Sequence, residues 1–193
     1  MLDYIKGEIA EVSPTHVVLE NAGLGYFLNI TIPTYSYLSG KTSCKLFVYE
    51  AIREDAVVLY GFLSQEERQL FLHLLSVSGV GAGTARMIMS SMSVSEIQEV
   101  ISTANVAVLK TVKGIGLKTA ERIIVDLKGK VMKSDNDAAA LFVADSTIKK
   151  EAQSALIMLG FAAQASQKAI ENILKEKPDV SVEQLIKMAL KII

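Results

Sequence analysis

Alternating hydrophobic and polar positions dominate the first third of the chain and predict β-strands. Five short runs rich in β-branched and aromatic residues are separated by turn residues: 7–12, 16–20, 26–32, 44–52 and 56–62. Pro33 ends the third run, because proline cannot donate to a sheet ladder. The connection 53–56 between the last two runs has the length of a hairpin loop. Residues 1–63 are therefore predicted to form a five-stranded OB-like β-barrel.

Beyond residue 63 the apolar spacing changes to that of helices. Ser64 and Glu67 have the spacing of a capping box, and so do Ser93 and Glu96. Short helices with glycine between them continue to residue 132. The region 64–132 is therefore predicted to be a central helical domain.

The last third of the chain divides into a polar segment and a helical tail. Residues 133–145 have no amphipathic period and a Ser/Asp/Asn centre, which predicts a flexible linker. Residues 146–193 predict a small three-helix domain, with helices over 147–159, 163–175 and 181–192. Taken together, the pattern predicts a multidomain α+β chain.

The middle of the chain repeats itself at an offset of 35 residues. Gly79-Val80-Gly81-Ala82-Gly83-Thr84-Ala85 matches Gly114-Ile115-Gly116-Leu117-Lys118-Thr119-Ala120. A Gly-hydrophobic-Gly turn between two helices directs its middle residue inward, and its glycines permit positive φ. The free N–H groups of the second helix then face the turn and can bind an anion such as phosphate. Thr84 and Thr119 can add a hydroxyl donor to each turn.

Charge favours DNA phosphate as that anion. The chain has a net charge of −1, but residues 1–63 sum to −3 and residues 64–133 to +3. Lys113, Lys118 and Arg122 surround the second turn, so binding should depend on salt and ignore base sequence. The predicted DNA-binding residues are Gly79, Val80, Gly81, Gly83, Thr84, Gly114, Ile115, Gly116, Lys118, Thr119 and Arg122.

A structural interpretation of the same turns stays open. One Gly-x-Gly sequence can simply close a turn between helices, although two copies in register make this less favourable. A dinucleotide-binding fold is disfavoured, because neither turn follows a strand or has the third glycine of that fingerprint.

Nothing in the sequence indicates catalysis, a cofactor or a metal site. The single cysteine, Cys44, excludes an intramolecular disulfide and fits a reducing compartment. His16 and His73 are isolated, and no P-loop signature occurs. No signal peptide and no apolar run long enough to span a membrane is present, so a cytoplasmic protein is predicted.

Two other functional classes remain to be distinguished by experiment. A helix-hairpin-helix glycosylase would need a catalytic Lys or Asp just beyond one turn, and Asp126 and Glu121 are the nearby carboxylates. A magnesium-dependent nuclease would need more than Glu54 and Asp55. A scaffold that prefers plain duplex DNA is the second alternative.

The whole chain resembles the RuvA family of Holliday junction branch migration subunits. The resemblance rests on Gly7, the turn 23–26, the motifs within 53–62 and both Gly-x-Gly hairpins, of which 114–122 matches best. It implies a non-catalytic protein that binds four-way DNA junctions and recruits the hexameric ATPase RuvB for branch migration in recombination and repair. It also implies a homotetramer, with an octamer on DNA and contact with the junction nuclease RuvC left open.

The resemblance also assigns roles to residues outside the hairpins. Glu54 and Asp55 would be an acidic pin near the junction centre, although such a tip can equally be an ordinary solvated turn. The RuvB contact would involve Leu156, Leu159 and Phe161, yet the two leucines are as consistent with the core of the tail itself.

The first hairpin departs from the family pattern. Ala82-Gly83 stands where relatives often have Pro-Lys, and Leu117 replaces a frequent lysine. We expect hairpin one to rely on backbone amides. Arg86 could compensate, although it aligns with Glu121 rather than Arg122 and its direction is left open.

Overall fold

A computed structural model describes residues 2–131, 144–177 and 180–193. The chain divides into two compact units, Met1–Asp137 and Ala138–Ile193. The first unit contains a barrel and a group of helices, and the second contains the helical tail.

The first unit begins with a closed five-stranded barrel in the order β1-β2-β3-β5-β4. The strands are β1 (Tyr4–Val12), β2 (His16–Asn21), β3 (Leu24–Asn29), β4 (Ser43–Ile52) and β5 (Val57–Phe62). All neighbours pair antiparallel except β3 and β5, which close the barrel in parallel. The predicted barrel is confirmed. Its interior is filled by Ile5, Val17, Leu19, Leu28, Ile30, Leu38, Leu46 and Val48.

Two features of the barrel need particular backbone geometry. Ala22 and Gly23 form a two-residue turn between β2 and β3 with φ of 51° and 79°. Gly7 lies against β2, where a Cβ atom would come within 2.3 Å of the Glu20 carbonyl oxygen. A side chain at residue 7 would therefore force the first hairpin apart.

The predicted third strand extends too far, and a helix follows it that the pattern did not predict. The strand ends at Asn29, and α1 occupies Ile32–Leu38. The Thr31 side chain caps α1, and Pro33 lies in its first turn, where a missing N–H has no cost. Pro33 therefore starts a helix at the position where it was predicted only to stop a strand.

Five helices follow β5 and form the central helical region. They are α2 (Gln65–Leu75), α3 (Ala82–Ser91), α4 (Val94–Ser102), α5 (Val106–Thr111) and α6 (Leu117–Val131). Ser93 and Glu96 form the predicted capping box. Ser64 caps α2 as predicted, and the Glu67 carboxylate accepts from the backbone N–H of Leu63.

The barrel and the central helices share one hydrophobic core. Tyr60 and Phe62 on β5 are buried with the apolar faces of α2 to α6. The Phe71 ring lies 5.3 Å from that of Tyr60 and 4.9 Å from that of Phe62. The predicted boundary at 63/64 thus marks a change from strand to helix, while the side-chain packing is continuous across it.

Among the residues described in the second unit there are three helices, α7 (Ala144–Met158), α8 (Ala163–Glu176) and α9 (Val182–Ala189). Gly160, with φ of 97°, ends the first of them, and a capping box of Ser181 and Gln184 starts the third. Most of the predicted linker, 133–143, lies outside the described residues. Its last two residues, 144 and 145, belong to α7, so the predicted end of the linker is corrected.

Candidate nucleic-acid interface

The two copies of the internal repeat form equivalent turns. In hairpin one, between α2 and α3, Gly79 has φ of 90° and the Val80 N–H donates to the Val77 carbonyl. In hairpin two, between α5 and α6, Gly114 has φ of 91° and the Ile115 N–H donates to the Val112 carbonyl. Positive φ near these values is costly for any residue but glycine, so the first glycine of each copy is needed for the backbone alone.

The middle residue of each turn points into the core, as predicted. Val80 and Ile115 are both 6% exposed. Because they are buried, these two side chains cannot contact a ligand on the outer side of the turn. Their role in the predicted binding site is to pack the turn against the core.

The start of the helix after each turn is open. Gly81 is the N-cap of α3 and provides no side-chain cap, unlike Ser64, Ser93 and Asn105, which cap α2, α4 and α5. A Cβ atom at Gly81, Gly83 or Gly116 would meet no atom within 4 Å. The fold therefore does not require glycine for space at these positions. Because these residues have no side chain, a ligand can approach the backbone closely there.

Two hydroxyl groups and one ammonium group around the turns have no partner among the described residues, whereas a guanidinium group is already hydrogen-bonded. The side chains of Thr84, Thr119 and Lys118 make no hydrogen bond or ion pair within the part of the chain that the structure describes. Arg122 Nη1 lies 3.3 Å from the Ser78 carbonyl oxygen and donates to it. This bond connects the helix of hairpin two with the turn of hairpin one, so the structure brings the two predicted sites together.

Arg86 points away from the first turn. Its Nη1 lies 2.7 Å from Asn29 Oδ1 and 3.2 Å from the Thr15 carbonyl oxygen, both on the barrel. It therefore does not replace the cation missing at residue 83. Sequence reasoning could not find these partners, because Asn29 is 57 residues away and lies in a strand without a motif.

The acidic tip lies on the β4–β5 hairpin. Arg53 donates its N–H to the Ala56 carbonyl across the tip, and Glu54 and Asp55 between them are exposed. In the described residues neither carboxylate has an ion pair. The tip can therefore present two unneutralised negative charges to a ligand.

The predicted tail contacts separate into buried and exposed residues. Leu156 is 0% exposed and packs in the core of the tail, which corrects the expectation that it contacts a partner. Phe161 packs against that core and is partly exposed. Leu159 is 60% exposed, and its neighbours Ile157 and Met158 are exposed too, at 45% and 88%. An apolar surface therefore remains at the end of α7.

Three other titratable side chains, those of His73, Cys44 and His16, lie in surroundings that the fold itself provides. Burial and the nearby Lys130 lower the pKa of His73, and burial raises the pKa of the Cys44 thiol. His16 hydrogen-bonds to Ser13 and Glu11 at the β1–β2 turn.

Among the described residues, no three His, Cys, Asp or Glu side chains are grouped so that they could hold a metal ion. No described helix is long and apolar enough to cross a membrane.

An OB-like barrel followed by two equivalent hairpins with open helix N-termini defines a helix-hairpin-helix DNA-binding protein. Comparison with known families narrows this class. The RuvA N terminal domain matches residues 1–61, the SAM-like helix-hairpin-helix tandem matches 71–129, and the RuvA C-terminal domain matches 148–193. The chain belongs to the RuvA family.

Individual relatives match over almost the full length. A protein of Bacteroides fragilis is 57% identical over 199 residues, covering 99% of each chain. A protein of Bacteroides thetaiotaomicron is 53% identical over 199 residues with the same coverage. One of Flavobacterium psychrophilum is 42% identical over 191 residues. Each is named Holliday junction branch migration complex subunit RuvA.

Proposed function

We propose that this chain binds four-way DNA junctions without regard to base sequence and recruits the ATPase motor RuvB for branch migration. The proposal places the chain in recombination and DNA repair in the cytoplasm. The observation that carries it is the pair of equivalent turns, each with an open helix N-terminus, in a chain of the RuvA family.

Each hairpin binds a DNA phosphate through backbone N–H groups and a threonine hydroxyl. An uncapped helix start offers unsatisfied donors and the positive end of the helix dipole, both of which favour an anion. Gly81 and Gly116 let a phosphate approach the backbone closely. These contacts read no base edges, so they position the protein on any sequence.

The two hairpins contribute unequally to the binding. Hairpin two adds Lys118 and Arg122, whereas hairpin one has Gly83 in the place of Lys118 and its Arg86 is bound to the barrel. Most of the salt dependence therefore comes from hairpin two.

Preference for a junction over plain duplex comes from the barrel and its acidic tip. Glu54 and Asp55 repel phosphates and keep the strands apart where they exchange. A homotetramer places four such tips around one crossover, and a second tetramer on the opposite face would enclose the DNA in an octamer. A RuvC-type nuclease would need one face of the junction left open.

The tail supplies the contact with the motor. Leu159 and Phe161 are the residues proposed to bind RuvB, supported by the exposed apolar surface at the end of α7. Leu156 lies in the tail core against which Phe161 packs. ATP hydrolysis then belongs to RuvB, and this chain acts without catalytic residues or a cofactor.

A gel-shift comparison of a synthetic four-way junction with a linear duplex of equal length tests the proposal. We expect much tighter binding to the junction, with binding that weakens steeply as salt rises. Equal affinity for the two DNAs would contradict the junction assignment. Magnesium-dependent cleavage of either DNA that is lost in Asp126→Asn or Glu54→Gln would favour a nuclease instead.

The double variant Lys118→Ala/Arg122→Ala tests the assignment of the charged hairpin. We expect weaker binding to junctions of every sequence, and a salt slope that is smaller by about one for each phosphate that the variant no longer neutralises. Lys187→Ala is a matched control, because Lys187 lies in the tail and pairs with Glu183 at 2.6 Å. A weakening that depends on junction sequence would indicate base readout and argue against the proposal.

A further inference from the structure

A hydrogen-bond chain connects the first hairpin to the barrel strand that leaves the acidic tip. Arg86, in the second turn of α3, donates to Asn29 Oδ1 at 2.7 Å. The amide of Asn29 in turn donates from Nδ2 to the Leu59 carbonyl at 3.2 Å. Leu59 lies on β5, three residues after the tip connection 53–56 ends. The Asn29 side chain uses both ends of its amide, so its orientation is fixed.

A second contact holds the other end of the same helix. The backbone N–H of Ile32, at the start of α1, donates to Ser90 Oγ near the end of α3 at 3.3 Å. Arg86 also donates to the Thr15 carbonyl at the β1–β2 turn, at 3.2 Å. The helix that begins at hairpin one is therefore attached to the barrel at two points along its length.

The internal repeat provides a comparison for these contacts. The residues of α6 that correspond to Arg86 and Ser90, 35 positions later, are Glu121 and Val125. Glu121 is exposed, and Val125 is 77% exposed. The attachment is thus not part of the common architecture of the hairpins. It is a property of the copy that has no lysine at its turn.

We propose that Arg86 is a positioning residue that fixes the first hairpin at a set distance from the acidic tip. This rests on the proposed junction binding. A hairpin that binds phosphate through backbone N–H groups and a short hydroxyl side chain has no long, flexible cation to reach its ligand, so its affinity depends on being held in the right place beforehand. The bonds from Arg86 through Asn29 to β5 supply that rigidity.

The ratio of junction affinity to duplex affinity is the measurement that tests this role. We expect Arg86→Leu to lower the ratio about tenfold, the effect of removing one hydrogen bond to a charged group. The salt slope should stay unchanged, because Arg86 contacts no phosphate. Asn29→Leu should lower the ratio similarly, and the double variant should lower it no further, because both substitutions break the same chain.

Arg68→Leu is the matched control for general stability. Arg68 also joins a helix to the barrel, through Asp3 Oδ1 at 2.7 Å, but it lies on α2 away from both turns. We expect this variant to melt at a lower temperature and keep the native affinity ratio, since a ratio of two affinities does not depend on the fraction of protein that is folded.

Two results with Arg86→Leu would overturn the inference and leave the proposed function standing. A native affinity ratio in Arg86→Leu would show that α3 needs no fixing, and a smaller salt slope would show that Arg86 is a phosphate ligand. Equal affinity of the unsubstituted protein for junction and duplex would overturn the proposed function and this inference with it.

Discussion

Glycines in the first hairpin have separable roles at the residue scale. Gly79 is required by its φ of 90°, whereas Gly83 lies inside α3 with open space around it. We expect Gly79→Ala to lower the free energy of unfolding by about 1–2 kcal/mol, the cost of left-handed backbone for a residue with a Cβ. Chemical denaturation followed by circular dichroism measures this change.

Gly83→Ala should have the opposite effect on stability and leave binding intact. Alanine is favoured over glycine inside a helix by about 0.5–1 kcal/mol, so the variant should be more stable. The equivalent residue of hairpin two, Lys118, also has a Cβ atom, so a methyl group at residue 83 should not block the phosphate. Much weaker junction binding by Gly83→Ala would mean that the two hairpins approach DNA differently.

The residues that sequence could place are those whose role is local. The inward direction of Val80 and Ile115 follows from the repeat and from their hydrophobicity, and their burial agrees with it. The bond from Arg86 to Asn29 could not be predicted, because it depends on how α3 packs on a barrel strand 57 residues earlier. Leu156 and Leu159 look alike in sequence, and only the packing of the tail separates them.

At the scale of elements, α4 is stabilised by a cap that responds to pH. The Glu96 carboxylate accepts from the Ser93 N–H at 2.7 Å and from its hydroxyl at 2.7 Å, and these bonds lower the pKa of Glu96 below its usual 4.5. A lowered carboxyl pKa contributes stability at neutral pH that is lost as pH falls below the usual value.

We therefore expect the protection of α4 amides from hydrogen exchange to fall as the pH drops from 5 to 3. In Glu96→Gln this decrease should be smaller, because the amide does not titrate. Glu99→Gln, on the same helix but outside the cap, should behave like the unsubstituted chain. Identical pH profiles for Glu96→Gln and the native protein would exclude the cap as the cause.

The end of α7 gives a second prediction at this scale. Leu156→Ala should destabilise the tail by about 3 kcal/mol, because a fully buried leucine leaves a cavity. Leu159→Ala should leave the tail folded, since its side chain is 60% exposed, yet it should weaken binding to RuvB. Thermal melts measure the stability of the tail, and co-purification measures RuvB binding. Undiminished RuvB binding by Leu159→Ala would mean that RuvB contacts another part of the chain.

The hydrophobic period along the sequence predicts the ends of helices and strands less well than their centres. The hydrophobic run to residue 32 reads as one strand, but Thr31 and Pro33 form the start of a helix there. A cap and a proline are short signals inside an apolar stretch, and strand alternation masked them. The capping boxes at Ser93 and Ser181 stand before clear helical periods, and the one at Ser93 was predicted.

At the scale of the molecule, the two units should separate in function. Deleting residues 144–193 removes all three tail helices and leaves the shared core of barrel and central helices intact. We expect such a protein to bind junctions with native affinity and to support no ATP-driven branch migration with RuvB. Migration that persists without the tail would place the motor contact in the first unit.

A cut between residues 63 and 64 should have a different outcome from a cut before the tail. Tyr60 and Phe62 belong to the core of the central helices, so an isolated barrel would expose two aromatic side chains that are 8% and 2% exposed in the chain. The change from alternating to helical periods locates β5 and α2 correctly. It carries no information about which side chains pack across that point.

The neutral turn of hairpin one also bears on how DNA could move. A duplex drawn past the protein must break each ionic contact and let counterions return before the next phosphate arrives. Gly83 has no charge with which to form such a contact, whereas Lys118 at the equivalent position has one. A protein with one charged and one uncharged phosphate-binding hairpin should resist the sliding of DNA less than a protein with two charged hairpins. The unequal repeat therefore favours movement of the DNA.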